Sequence, residues 1–309
     1  MEQQSSFLTH QHEQRKKLLS LLGDLPTAHS PAAPTLRRKE KHDGYTLEFL
    51  DFDFNGKERV PGILLVPDKI KAKAPCMLYC HAHFGTYNIG KDELLNGRKV
   101  MPAYAPVYAE RGIMTLAIDS WCFGERSVDG EMDTFKKMLW EGQTLFGMML
   151  YDEMKALDYI LSRPEADPSR VGVFGLSMGA TKAWWLSALH PRITTCLDLC
   201  CMTDFHELLH ENNLKGHGIY YYVPSLLKYF DTKTINELIV PRPHVSLNGR
   251  LDDLTPPKGV EKVRDHLMPL YKKHGRMEDC PIELFDCAHE ELPEMRKIIL
   301  EWLDRHLVG

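Results

Sequence analysis

The run Val171-Gly172-Val173-Phe174-Gly175-Leu176-Ser177-Met178-Gly179-Ala180 constrains this 309-residue chain more than any other stretch. An apolar segment leads into a serine set between two glycines, and a small-residue helical pattern (Ala180, Ala183, Ala188) follows it. A serine on a sharp strand-to-helix turn brings the residues two before and two after it into near contact, where glycine alone has no Cβ to clash. Such a turn exposes the hydroxyl at the end of a strand. It also makes Met178 the first residue of a helix, so that its N–H has no intrahelical partner and can face a developing oxyanion. The G-x-S-x-G pattern is short; the strand before it and the helix behind it give it weight.

The surroundings suit that turn. Tyr45 to Phe54 alternates apolar and polar residues, Asn55-Gly56 reads as a hairpin turn, and Arg59 to Val66 as the return strand. From Cys76 onward short apolar runs alternate with helical segments, the pattern of a parallel sheet buried on both faces. Strands are expected at Cys76–Cys80, Ile113–Ile118, Val171–Phe174, Ile193–Cys200, His244–Asn248 and Ile282–Phe285. Helices are expected at Val100–Arg111, Asp133–Arg163, Met178–Leu189, Lys258–His274 and Leu292–His306. The fold class is therefore α/β: a mostly parallel central sheet flanked by helices, led in by antiparallel strands. Residues 1–40 read as an N-terminal helix (Gln11 to Leu25) and a proline-bearing arm (Thr27 to Pro34), the helix packing on the body or on a second subunit of a homodimer. Residues 41–309 read as one domain, with a lid insertion at about 203–240 that is longer than a simple crossover.

Composition narrows the partners. Hydrophobic residues at 43% and charged residues at 26% describe an ordinary soluble globular protein, and a formal charge of −5 without a basic block argues against nucleic acid or an anionic membrane. The first twenty residues are polar where a secretion signal needs an apolar stretch, and no run reaches transmembrane length, so a cytoplasmic protein is expected. The eight cysteines sit mostly in apolar, strand-like runs without paired C-x-x-C spacing and read as buried free thiols.

A serine hydroxyl is a weak nucleophile near neutral pH and needs a histidine base that is itself oriented by a carboxylate. Just past the strand His244–Asn248 comes Gly249-Arg250-Leu251-Asp252-Asp253, and just past Ile282–Phe285 comes Asp286-Cys287-Ala288-His289. Ser177, Asp252 and His289 thus stand in the order serine, acid, histidine, each beyond a strand end. Asp252 is preferred to Asp253 by its place after Gly249 and by the resemblance described below; Asp253 is the capping or surface alternative. The second oxyanion donor is expected from the loop Tyr79 to Gly85, at the N–H of Ala82 or His83, beside that of Met178. His81 reads as a residue that fixes this loop. Trp121 and Phe123 are placed to wall the substrate pocket, with Tyr220 and Tyr221 of the insertion opposite. Trp184 and Trp185 read as core, and Asp119, Glu125 and Arg126 as mutually paired. His206-Glu207-Leu208-Leu209-His210 matches the zinc-peptidase pattern H-E-x-x-H, but His217 has the wrong spacing for its extension and Asn213 occupies the glycine position, so no metal site is assigned.

With these residues in view the chain resembles the α/β-hydrolase superfamily, in the branch similar to dienelactone hydrolases and acetyl-xylan-esterase-like proteins. The resemblance rests on Cys80–Gly85, Asp119–Arg126, Gly175–Gly179, Pro241-Arg242-Pro243, Gly249–Pro256 and Ala288-His289-Glu290, and spans roughly residues 45 to 309. It implies Ser177 as nucleophile, His289 as base and Asp252 as its partner, in a serine esterase acting without metal or cofactor on small to medium acyl esters, acetyl esters included. Ala82 and Phe84 stand where relatives commonly carry glycine. A peptidase of the prolyl-oligopeptidase type shares the triad order but lacks here the preceding propeller and the acidic pair that grips a peptide amino terminus. A non-catalytic ligand-binding relic would normally have lost a triad member, and all three are present.

Overall fold

A computed structural model describes residues 2–30, 33–70 and 72–309, with the side chains of residues 2–6 left aside. The elements in order are α1 (Glu2–Ser20), β1 (Thr35–His42), β2 (Tyr45–Phe52), β3 (Val60–Pro67), β4 (Ala74–Cys80), α2 (Glu93–Asn96), α3 (Ala105–Glu110), β5 (Met114–Ile118), α4 (Glu131–Trp140), α5 (Leu145–Ser162), β6 (Ala166–Leu176), α6 (Met178–Leu189), β7 (Thr195–Leu199), α7 (Phe205–His210), α8 (Thr232–Asn236), β8 (His244–Gly249), α9 (Pro257–Lys273), β9 (Ile282–Phe285) and α10 (Pro293–Leu303). No helix among the described residues is long and apolar enough to cross a membrane.

The strands form one nine-stranded sheet in the order β1-β2-β3-β5-β4-β6-β7-β8-β9. The β1–β2, β2–β3 and β3–β5 pairs are antiparallel, and every pair from β5 onward is parallel. Alternation along each strand feeds two cores: Cys76, Leu78 and Cys80 of β4 face α5 and α6, while Met77 and Tyr79 face α3 and α10. From β4 the chain crosses to β5 on one side and then returns to β6 on the other, after which it steps outward through β7, β8 and β9. The crevice past the carboxyl ends of β4 and β6 is thus the topological switch point, where open α/β sheets bind ligands.

Several expected boundaries move, each for a local reason. Strand β1 was not anticipated, because Thr-Leu-Arg-Arg-Lys-Glu-Lys-His has no apolar alternation; it is a charged, mostly exposed edge strand held by its ladder to β2. The helix expected over Gln11 to Leu25 spans Glu2–Ser20 instead. It packs on the body, where the Gln11 amide donates to the carbonyls of Glu237 and Val240, and Arg15 donates to those of Ala188 and Leu238. Pro31 and Ala32 of the expected arm lie outside the described residues. The hairpin connection is wider than Asn55-Gly56, because the Asn55 side chain turns inward to donate to Asp152 while accepting from the N–H groups of Lys57 and Glu58. The single helix expected over Asp133 to Arg163 is two, broken where Gly142 takes φ +78° and where Thr144 caps α5 by accepting from the Gly147 N–H. The helix expected from Val100 starts only at Ala105, with a proline in its first turn.

Candidate active site

Ser177 sits between β6 and α6 at φ 59° and ψ −120°, a left-handed conformation that a β-carbon tolerates poorly. Its N–H donates to the Leu199 carbonyl at 2.9 Å, which ties the turn to the end of β7. A Cβ on Gly175 would lie 2.2 Å from the Gly179 carbonyl carbon, and one on Gly179 would lie 1.9 Å from the Cys80 carbonyl oxygen. Both glycines are therefore demanded by the close approach of β6, α6 and β4. Met178 opens α6, so its N–H falls ahead of the helical ladder.

The acid and the base arrive on two loops pressed together. The Arg250 N–H donates to the Phe285 carbonyl at 2.7 Å and the Leu251 N–H to the Cys287 carbonyl at 2.9 Å, extending the β8–β9 contact past the strands. A Cβ on Gly249 would come within 2.3 Å of the Ala288 oxygen, so this approach also needs glycine. The result is a 2.7 Å hydrogen bond from His289 Nδ1 to Asp252 Oδ2. The buried Asp252 carboxylate also accepts from the Leu254 N–H at 2.9 Å. Asp253 is exposed and turned away. His289 Nε2 is buried and has no partner among the described residues. Ser177 and His289 line one small cavity of about 20 Å³, together with His217, Tyr220, Tyr221 and Cys200. Cys200, Asp252 and His289 each bring one ligand-type atom to within 4.8 Å of the others.

The loop after β4 differs from expectation at one residue. The Ala82 N–H donates to both carboxylate oxygens of buried Glu93, at 3.1 and 3.3 Å, and is therefore not available as an oxyanion donor. Glu93 also accepts from the Tyr79 hydroxyl and pairs with Arg98, which itself donates to the Ala82 carbonyl. Burial raises the Glu93 pKa, with Arg98 acting against it. The His83 N–H has no partner among the described residues, which leaves it and Met178 as the donors of the expected set. His81 holds the loop: its Nε2 accepts from the Ser120 N–H at 3.1 Å and its Nδ1 donates to the Ala82 carbonyl at 3.0 Å. Burial drives the His81 pKa well below its ordinary value, consistent with that neutral tautomer. Phe84 takes φ 48°, which sets its ring edge-on against His289 at 5.4 Å.

The expected pocket walls divide. Tyr220 and Tyr221 line the Ser177 cavity. Trp121 does not; it borders a separate polar cleft with Lys57, Glu58 and Asp133, under the Arg126 guanidinium at 4.5 Å. Phe123 is fully buried behind His83, with ring centroids 5.0 Å apart, and supports that residue from the rear. Between Trp121 and Phe123, Cys122 takes φ 71°. Asp119, Glu125 and Arg126 do hold one another, through the Glu125 N–H to Asp119 and Arg126 to the Asp119 carbonyl, and they recruit Lys91, Arg37 and Asp152 as well. In the H-E-x-x-H stretch His206 and His210 are exposed and Glu207 is paired with Lys262. Trp184 and Trp185 are core.

Two buried polar clusters escaped the sequence reading. Lys182 donates to Glu153 at 2.8 Å and to the Ser120 hydroxyl at 2.6 Å beneath the elbow. Within the sheet, Asp198 pairs with His244 Nε2 at 2.5 Å and accepts from the Ser246 hydroxyl at 2.6 Å, all three fully enclosed. Burial works to lower the His244 pKa, but Cys196 and Asp198 more than offset it and hold the ring up at about 10. Glu93, Phe84 and His217 were likewise not assigned to the site. A lone glutamate or histidine in a loop has no spacing signal that marks it.

A serine on this elbow, with a carboxylate–imidazole pair from the loops after β8 and β9, defines the α/β-hydrolase class. Residues 1–266 match the family model described as the Abhydrolase family, and the chain belongs to that family. It is 40% identical over 297 residues to YtaP, a provisionally named hydrolase of Bacillus subtilis (strain 168), covering 96% of this chain and 99% of that one. In fold it is similar to a glucuronoyl esterase from Solibacter usitatus (TM-score 0.72, 15% identity, 94% of this chain and 91% of that chain). It is also similar to acetyl xylan esterase 1 from Thermoanaerobacterium sp. JW/SL YS485 (TM-score 0.62, 15% identity, 96% and 92%).

Proposed function

We propose that the protein is a serine esterase that hydrolyses carboxylic esters of small to medium acyl groups, acetyl esters among them, through an acyl-enzyme. Ser177 Oγ attacks the ester carbonyl while His289 Nε2 takes its proton. The N–H groups of Met178 and His83 hold the oxyanion, and His289 returns the proton to the departing alcohol. Water then attacks the acyl-serine with His289 again as base. Asp252 keeps the Nδ1 proton in place, so that Nε2 is the basic nitrogen, and stabilises the imidazolium. The observation that carries this reading is the 2.7 Å Asp252–His289 bond, with His289 Nε2 left unpaired in the cavity that Ser177 lines. The esterase names of the structural neighbours support the ester bond as the target.

The segment from 203 to 240, which brings Tyr220 and Tyr221 over Ser177, acts as the lid. A cavity of about 20 Å³ has room for little more than a water, so substrate entry requires this segment to shift. Eight buried free cysteines suit a reducing compartment, and we place the enzyme in the cytoplasm on that ground. A fluorophosphonate probe followed by peptide mapping tests the reading: it should label Ser177, and labelling elsewhere or nowhere would remove the proposal.

A further inference from the structure

Two imidazoles border the Ser177 cavity with an Nε2 that is buried and unpaired among the described residues, those of His289 and His217. The reaction uses the first. The second belongs to the crossover segment, where the ring stacks on Tyr221 at 4.7 Å and 18° and its other nitrogen donates to the Leu254 carbonyl. Its position is thus held from two sides while Nε2 is left free. Burial lowers the His217 pKa, and nearby His289 acts in the same direction against Asp252, so the ring is neutral near neutral pH.

A buried polar atom without a partner costs about 1–3 kcal/mol, and native structures rarely leave one so without a reason. The Tyr222 hydroxyl donates to the Leu214 carbonyl and Trp184 Nε1 to Cys201 Sγ, and no described group bonds His217 Nε2. The missing partner therefore fits best as something that arrives with the substrate. With the proton on the other nitrogen, neutral Nε2 is an acceptor, and a substrate hydroxyl can donate to it. An ionised carboxylate and an alkyl chain have no proton to offer it.

We propose that His217 reads a hydroxyl carried close to the scissile ester, so that the preferred substrates are hydroxylated esters. This rests on Ser177 being the nucleophile of an esterase. Sites built to bond a substrate hydroxyl discriminate strongly against the analogue that lacks it, because the protein group is then left unpaired.

The test is kcat/KM for two matched pairs, glycerol monoacetate against propyl acetate for a hydroxyl on the alcohol side, and methyl lactate against methyl propionate for one on the acid side. Fluorophosphonate labelling of Ser177 is run on the same samples. We expect the hydroxylated member of one pair to be favoured by at least about 100-fold. His217→Leu should bring that ratio to within about threefold, and His217→Gln, which keeps a polar atom, should restore part of it. A wild-type enzyme that is labelled and active but shows ratios near one in both pairs overturns the role of His217. So does a His217→Leu variant that slows both members of a pair equally. Absence of both labelling and hydrolysis takes down the esterase reading and this inference with it.

Discussion

Two carboxylate–histidine pairs lie on this sheet, and they differ in what surrounds them more than in their own geometry. Asp252–His289 closes at 2.7 Å and Asp198–His244 at 2.5 Å, and each has a serine close by. Asp198 and Ser246 are register partners on β7 and β8, and His244 faces Cys196 in the same ladder, so all are covered on both sides of the sheet. Asp252 and His289 stand on loops past the ends of β8 and β9, where His289 borders the small cavity to which Ser177 is lifted by its turn. The same three chemical groups therefore make a structural rivet inside the strands and, beyond them, the site we propose to be reactive. A triad is recognised by placement and by access to the reacting atoms.

That contrast can be broken in several ways. The largest effect should follow from Ser177→Ala, which we expect to lower kcat on p-nitrophenyl acetate by about 10⁶-fold if the subtilisin precedent holds, with the thermal midpoint retained. Next, Asp252→Asn should cost about 10⁴-fold in kcat, as loss of the triad acid does in trypsin, while Asp253→Asn stays within a few-fold; equal losses from the two would separate the acid from the 2.7 Å bond. The enclosed pair should behave the opposite way. Asp198→Asn removes the carboxylate that helps hold the proton on the enclosed His244 ring, and should cost about 3–5 kcal/mol in a denaturant titration, with kcat preserved in whatever fraction folds.

The smallest effect is a slope. His244 has its folded pKa raised from 6.5 to about 10. A raised histidine pKa contributes stability that is fully present below its ordinary value and is lost as pH climbs through the folded one. The unfolding free energy of the wild type should therefore decline between pH 6.5 and 10. In Asp198→Asn much of that decline should vanish, and an unchanged slope would show that the ring is not charged in the folded protein.

The chain itself made several parts of this structure legible. The elbow could be read because steric demand for glycine at two fixed offsets leaves a pattern in the sequence. The parallel sheet could be read because strands buried on both faces must be apolar throughout. Strand β1 could not, since an edge strand of charged residues is stabilised by its ladder and leaves no hydrophobic period. Asp252 could be ranked above Asp253 by position, but only the clasp of Arg250 and Leu251 on the β9 loop determines which of the two carboxylates meets His289.

The oxyanion loop marks the boundary most clearly. The place of the loop after the first parallel strand pointed to Ala82 or His83. Glu93, which comes from a short helix further along the chain, occupies the Ala82 N–H and leaves His83 of the two. Trp121 was likewise expected at the pocket and borders another cleft. Local sterics and periodicity act over a few residues and are written in the sequence, so the Ser177 turn and the order of the proposed triad were determined there. Hydrogen-bond partners and cavity walls depend on contacts between residues distant in the chain. The donors left free, the side chains that face Ser177, and the unpaired nitrogen of His217 were decided only by the tertiary structure.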